Sequence, residues 1–340
     1  MIGYYVHHVG HGHARRALGI AQELADDVTG LSSLPAPTGW TGSWISLTRD
    51  DDDDLIGTSA TVGVDVTASD RLHWVPRGHR GLRTRMARIA GFIEETSPAV
   101  LVSDVSVEVA LLGRLLGVPV VSVALPGSRS DPAHRLGWDV SDLVLCPCPE
   151  SLAPQLLDLG GTRTPVCWSG SFSRYDRSPL GPATAGRHVV VLQGAGGDAW
   201  TESQLARAAE ATPCWAWTVL GPAPARWVDD PRSLLCTADV VVTHAGLGAL
   251  GEVAALRRPA VVIPQERPHD EQHRTGRALA QSGLAVVAAK WPAVADWPVL
   301  LERAQRLGGG GWARWSDGAG AERAANAIAA VAAKQVFRCA

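Results

Sequence analysis

Two stretches of this chain gather residues whose types and spacing suit group-transfer chemistry. The first is Val9-Gly10-His11-Gly12-His13-Ala14-Arg15-Arg16, a glycine-broken turn between an apolar run (residues 2–7) and a helical pattern (residues 14–25). Gly10 and Gly12 permit a tight turn that leaves His13 at a helix start. An imidazole there can take a proton from a hydroxyl near neutral pH. Such a base needs a carboxylate to fix its tautomer. Asp104, closing the β-rich run 100–103 in an adjoining unit, is the expected partner. His7, His8, His11 and His13 invite a reading as metal ligands, but no acidic or cysteine partner stands at ligand spacing, so no metal is expected.

The second stretch runs from Thr243 to Leu279, THAGLGALGEVAALRRPAVVIPQERPHDEQHRTGRAL. A β-rich run ends at Thr243, and the small residues Ala245-Gly246-Leu247-Gly248-Ala249 open a helix. Glycines allow close backbone approach, and a helix start offers free N–H groups and positive potential, which together suit phosphate. Glu252 lies six residues past Gly246, about one and a half turns into that helix. A carboxylate there can reach both hydroxyls of a ribose whose phosphates sit on the turn. Asp270, Glu271 and Gln272 start the next helical pattern and are expected to line the same cleft.

Elements must hold these residues together, and the chain supplies an alternation of short β-rich runs and helical patterns. Strands are expected at 2–7, 100–103, 118–123 and 143–146, with helices at 83–95 and 105–116. The segment 169–187, SGSFSRYDRSPLGPATAGR, has linker composition. Alternation then restarts, with strands at 188–192, 216–220, 239–243, 260–263 and 284–288, and helices at 202–210, 247–256 and 271–281. The expected fold is α/β, two doubly wound Rossmann-like domains facing a cleft, with ligands beyond the C-terminal strand ends. The expected division is a first domain at 1–170, a linker at 171–187, a second domain at 188–320 and a C-terminal helix at 321–340 that can return to the first domain.

Composition narrows the class. The 340 residues, 46% hydrophobic and 19% charged, supply two ordinary cores. Acidic residues number 34 against 31 basic ones, a balance without general attraction for nucleic acid. No apolar run approaches a membrane span, the N-terminus is unlike a signal peptide, and six cysteines lack CxxC spacing, so a cytoplasmic protein with reduced thiols is expected. Arg49-Asp50-Asp51-Asp52-Asp53-Asp54 contains DxD, but five successive carboxylates read as a solvated surface run.

The stretch 243–279 closely resembles the donor-binding signature of the two-Rossmann-domain (GT-B) glycosyltransferases, HAGxGTxxEAxxxGxPxxxxPxxxDQxxNA. The likeness is strongest to enzymes related to the peptidoglycan N-acetylglucosaminyltransferase and extends to the UDP-glycosyltransferases. His244, Gly246, Gly248, Glu252, Pro259, Pro264 and Gln272 match. Ala249, Val253 and Arg258 depart from the pattern, and its DQ pair is stretched to Asp270-Glu271-Gln272. The resemblance implies that the glycine turn holds a pyrophosphate, Glu252 a ribose and Gln272 the donor sugar. It implies a second loop beside the diphosphate and acceptor at Gly194, Gly196 and Gly197, and Gly12 is expected among the donor-binding residues. That loop fits a dinucleotide fingerprint poorly, since the next run ends Thr218-Val219-Leu220-Gly221 without an acidic residue. Trp227 and Val228 fall where relatives recognise uracil, and Trp227 is open to stacking or to core burial. Plant-type members pair an Asp with the N-terminal His, as His13 and Asp104 would. Arg129 and His134 are expected on the acceptor side. The implied activity is inverting, metal-independent transfer from a UDP-sugar to a small-molecule or lipid acceptor, with no cofactor beyond that donor. Gly10 to Arg16 also fits the GxGHxxR start of a UDP-sugar hydrolase, and a non-catalytic nucleotide-sugar-binding protein is the third reading.

Overall fold

The computed structural model describes residues 1–51, 65–179, 186–194, 200–221 and 226–336. Gly196, Gly197 and Asp52–Asp54 lie outside them. The first half runs β1 (Ile2–Tyr5), α1 (His11–Ala21), β2 (Val28–Ser32), β3 (Trp44–Ser46), α2 (Arg80–Thr96), β4 (Val100–Asp104), α3 (Val107–Leu115), β5 (Val120–Val123), α4 (Pro132–Asp139), β6 (Leu143–Cys146), α5 (Ala153–Leu156) and β7 (Val166–Trp168). The second runs β8 (His188–Leu192), α6 (Glu202–Glu210), β9 (Ala216–Leu220), α7 (Arg232–Thr237), β10 (Val240–Thr243), α8 (Leu247–Ala255), β11 (Ala260–Val262), α9 (Glu271–Gln281), β12 (Val286–Val287), α10 (Trp297–Leu307) and α11 (Gly320–Val336).

The strands form two sheets, ordered β3-β2-β1-β4-β5-β6-β7 and β12-β11-β10-β8-β9, and every pairing is parallel. Parallel strands covered by helices on both faces are buried, and β1, β4, β5, β6 and β10 are buried throughout. In each sheet the order reverses at one place, between β1 and β4 in the first and between β8 and β10 in the second. Chain segments leaving the strand tips diverge there and open a crevice. The segment that follows β1 carries His13, and the tip of β4 is Asp104; the segments that follow β8 and β10 carry Gly194 and the turn at Gly246.

Local chemistry sets the helix starts. Ser106 caps α3 by accepting from the Val109 amide (3.2 Å), and Asp131 caps α4 ahead of Pro132. Thr201 and Gln204 form a reciprocal capping box on α6. The α4 helix occupies a segment expected as loop, and β2, β3, β7, α7 and α10 have no counterpart among the expected elements.

The two halves touch along a seam. Helix α5 packs on α9, the Ser128 amide donates to the His269 carbonyl (2.6 Å), and Arg274 Nη1 donates to the Gly127 carbonyl (3.1 Å). Gly127 has φ of 135°, and a Cβ there would lie 2.8 Å from the His269 oxygen, so only glycine permits this approach. Helix α11 lies against α1 and β4, where Ala324, Ala325 and Ile328 join the core that surrounds β1. Among the described residues no helix is long and apolar enough to cross a membrane.

Candidate active site

Helix α1 starts at His11 behind Gly10, whose φ of 88° makes the turn out of β1. His13 therefore sits within the first helical turn. Its Nδ1 lies 3.0 Å from Asp104 Oδ1 at the end of β4, where the carboxylate is fully buried. Directly after it, Val105 adopts φ of 64°, a strained conformation for a β-branched residue. The Ser103 hydroxyl, donating to the Ser106 carbonyl at 2.6 Å, helps to hold that turn.

Arg16, one turn past His13 and itself buried, completes the group. Its Nε is 3.2 Å from Asp104 Oδ2, and its Nη2 is 2.8 and 3.0 Å from the two oxygens. Burial alone would raise the Asp104 carboxyl, but Arg16 and His13 outweigh it and hold it well below the usual range. Arg16 Nη2 also lies 2.8 Å from His13 Nδ1. Two tautomers compete for this geometry. With its proton on Nδ1, His13 donates to Asp104 and keeps Nε2 as an open base. With Arg16 donating into Nδ1, the ring proton moves to Nε2 and the base is lost.

The second half builds a different kind of site. Helix α8 follows Gly246 with no side-chain cap and no acidic residue in its first turn, so among the described residues no carboxylate is recorded on the amides of Leu247, Gly248 and Ala249. Gly248 is exposed, and a Cβ there would touch nothing within 4 Å. His244 is buried, and its Nδ1 accepts the Gly246 amide at 3.0 Å. That bond puts the neutral ring's proton on Nε2, which has no partner among the described residues. Burial, reinforced by Arg267, lowers the His244 pKa to about 4, so the ring is neutral at pH 7. A Cβ on Gly194 would lie 2.4 Å from that Nε2, so Gly194 packs directly on the His244 ring. The first amides of α8 offer backbone N–H donors to an anion.

Glu252 is buried on α8 and meets two arginines. Arg15 Nη1 is 3.1 Å from its Oε1, and Arg174 Nη2 and Nε are 3.0 and 3.1 Å from the same atom. Burial raises the Glu252 carboxyl against the opposing pull of both guanidiniums. Arg15 stands two residues past His13, so this contact brings the His13 helix and the donor-side helix together. Neither Arg15 nor Arg174 stands out by sequence pattern: arginine supplies nearly all the basic residues, and Arg174 sits in linker composition. Arg16 carries two signals, as the arginine that closes the GxGHxxR pattern and by its spacing, three residues past His13 on the same helix face.

Other expected residues take different places. Gln272 is buried behind the turn, its Oε1 accepting the amides of Ala245 (3.1 Å) and Gln265 (3.0 Å), so it ties β10 to β11. Asp270 is exposed and pairs with Arg277 at 2.6 Å; both it and His269 have left-handed backbone, where the stretched DQ segment bends. Glu271 reaches Arg129 at 3.5 Å across the seam. Arg129 and His134 are buried there, 3.0 Å apart, with His134 Nδ1 2.5 Å from Asp131. The cavity they help line, beside Trp138, is about 20 Å³, room for one water. Trp227 is 45% exposed, which excludes core burial, and its Nε1 donates to Asp229 at 2.7 Å; Val228 and Gly12 are exposed as well.

Two further groups of side chains invite a metal reading. His73, His134 and His269 bring ligand nitrogens within 4.8 Å of one another, but Arg129 already donates to His134 Nε2, so a cation there would displace a cation. His8 gathers with Asp50 and Asp51. Here the solvated reading of the acidic run needs correction at its start. Asp50 is buried, 3.1 Å from the fully buried Arg85, and His8 Nε2 is 3.1 Å from Asp51. The charge of Arg85, buried behind β1 and β2, draws the first carboxylate of the run inward.

Residues 220–290 match the glycosyltransferase family 28 C-terminal domain. An uncharacterized glycosyltransferase of Methanopyrus kandleri is 27% identical over 68% of this chain and 75% of its own length. The UDP-N-acetylglucosamine–N-acetylmuramyl-(pentapeptide) pyrophosphoryl-undecaprenol N-acetylglucosamine transferase of Sorangium cellulosum is 30% identical over 66% of this chain and 60% of its own length. Among solved structures, the kitacinnamycin glycotransferase aligns over 97% of this chain at TM-score 0.67 and 18% identity, and Acinetobacter baumannii MurG over 97% at 0.65 and 13%. A spinosyn rhamnosyltransferase complexed with thymidine diphosphate aligns over the full chain at 0.59 and 18% identity. The fold is that of the GT-B glycosyltransferases, and by its family domain and relatives the chain is a glycosyltransferase.

Proposed function

We propose that this glycosyltransferase moves a sugar from a nucleotide diphosphate, UDP in the first instance, to a hydroxyl or amine of a small-molecule or lipid acceptor. The transfer is direct, inverts the anomeric carbon and uses no metal ion or further cofactor. The observation that carries this reading is the 3.1 Å contact between Arg15 and Glu252, since it puts the His13–Asp104 pair and the open turn of α8 on one cleft.

In the reacting tautomer His13 Nδ1–H donates to Asp104, and Nε2 takes the acceptor proton as the acceptor oxygen or nitrogen bonds to the anomeric carbon. The bond from that carbon to the diphosphate breaks, and its electron pair leaves with the phosphate. The developing charge falls on the first amides of α8. Fixed donors of this kind stabilise a leaving group without a metal. Glu252 takes the ribose hydroxyls, and exposed Trp227 is available to the base. The Sorangium relative's name specifies a UDP-sugar and the spinosyn neighbour holds thymidine diphosphate, so the base is decided by experiment. Buried, unpaired Cys146 and Cys148 fit the reducing cytoplasm.

His13→Ala tests the reading. Transfer falls by about 10²–10⁴, while UDP binding stays within a few-fold. A variant that keeps half the wild-type turnover removes His13 as the base. Products formed without any acceptor separate transfer from hydrolysis, the reaction to which the GxGHxxR start also points.

A further inference from the structure

We propose that Arg15 is a diphosphate-binding residue: when a nucleotide enters, its guanidinium leaves Glu252 and pairs with the donor's phosphates. The proposal rests on the nucleotide-diphosphate reading above. Three observations carry it. First, Glu252 is contested. Two guanidiniums make three contacts that converge on its Oε1. Asp230 adds a second carboxylate on the Arg174 side, and among the described residues none besides Glu252 pairs with Arg15. Arg15 stands near a helix start that has no acidic residue in its first turn.

Second, the two arginines are not held alike. Arg174 also donates to the Asp229 carbonyl at 2.8 Å and lies over the Tyr175 ring at 4.8 Å, so it stays when Glu252 is taken. Arg15 is 43% exposed, and Glu252 is its one partner among the described residues. Ribose hydroxyls arriving at Glu252 compete for that single bond.

Third, the distance suits the move. Glu252 stands six residues past Gly246, about 9 Å along the helix axis. A nucleotide with its ribose at Glu252 and its phosphates at the turn spans that interval. A long, flexible arginine displaced from one end meets the phosphates beside it, where a planar guanidinium makes paired hydrogen bonds. Arg15 would then carry to the diphosphate a full charge that α8, with its partial one, does not supply.

The test is calorimetry of UDP and of uridine against the wild type and Arg15→Gln, with EDTA present throughout. Uridine keeps the ribose and base but lacks the phosphates. In Arg15→Gln the UDP affinity is expected to fall about tenfold, while uridine binds within twofold of the wild type or more tightly. Arg15→Lys recovers part of the loss through its charge. If both ligands weaken equally, or the preference for UDP over uridine falls less than threefold, Arg15 does not bind phosphate. If UDP tightens as uridine does, Arg15 is only a competitor for Glu252, and the proposal is overturned. A wild type that binds neither ligand overturns the donor reading itself.

Discussion

At the scale of single residues the decisive arrangement is the three-way contact of His13, Asp104 and Arg16. Asp104 is fully buried and forked by Arg16, so its charge orients His13 and also neutralises a buried guanidinium. Asp104→Asn therefore has two expected effects. Turnover falls by about 10⁴ because the favoured tautomer is lost. Stability falls by about 3–5 kcal/mol, because Arg16 is left as an uncompensated buried charge. Urea unfolding checks the second effect separately, and an Asn variant of unchanged stability would contradict the buried fork. The sequence made half of this legible. A histidine between glycines at a strand–helix junction, and an aspartate closing a neighbouring strand, announce themselves by position. Arg16 is marked as the arginine of the GxGHxxR pattern, but its burial is not, because a basic residue on an amphipathic helix ordinarily faces solvent. Asp50 was masked the same way, since nothing in a run of five carboxylates marks the one that a buried Arg85 draws inside.

At the scale of elements, α8 has to reach its place against the segment that joins the two halves. Gly251 lies on its buried face, and a Cβ there would come within 2.8 Å of the Phe172 carbonyl oxygen, a backbone atom with little room to yield. Gly251→Ala is expected to lower stability by about 1–3 kcal/mol despite alanine's better helix propensity. Nucleotide affinity should weaken in the same variant as α8 is pushed off the seam. Thermal unfolding with and without UDP reads both effects, and a stabilised variant would show that this packing is loose. Elements with strong periodicity were legible from sequence: β8, α6, β9 and α9 have the expected bounds. The helix expected from residue 105 begins at Val107 because Ser106 caps it. Strand β3 is three residues long and only half-buried, so neither alternation nor an apolar run marked it. Pro132 and its capping Asp131 start α4 in a segment that reads as a turn by composition.

At the scale of the whole molecule, several histidines are kept neutral by the fold. Burial lowers the His244 pKa to about 4 and those of His7 and His134 to about 3. The unfolded chain protonates them near 6.5, so between pH 6.5 and about 3 it binds more protons than the native state. Their contribution to stability is complete above pH 6.5 and declines as pH falls through that window. Melting temperature should drop steadily below pH 6.5, with a shallower decline in His244→Gln, and a flat profile down to pH 4 would contradict their burial. Legibility was uneven at this scale too. The alternation of strands and helices pointed to two parallel sheets, whereas the seam rests on contacts between distant loops, such as Ser128 with His269, that no local pattern encodes.

The central claim is that α8 holds a nucleotide diphosphate by its open turn and Glu252, without a metal. Calorimetry of UDP and dTDP on the wild type and on Glu252→Ala, in EDTA, tests it most directly. A carboxylate bonded to both ribose hydroxyls senses the 2′-hydroxyl that dTDP lacks, so UDP is expected to bind about tenfold more tightly, roughly 1.4 kcal/mol. Glu252→Ala should erase most of that margin. Equal wild-type affinities, a margin that survives in the variant, or binding that appears only when a divalent cation is restored would contradict the account.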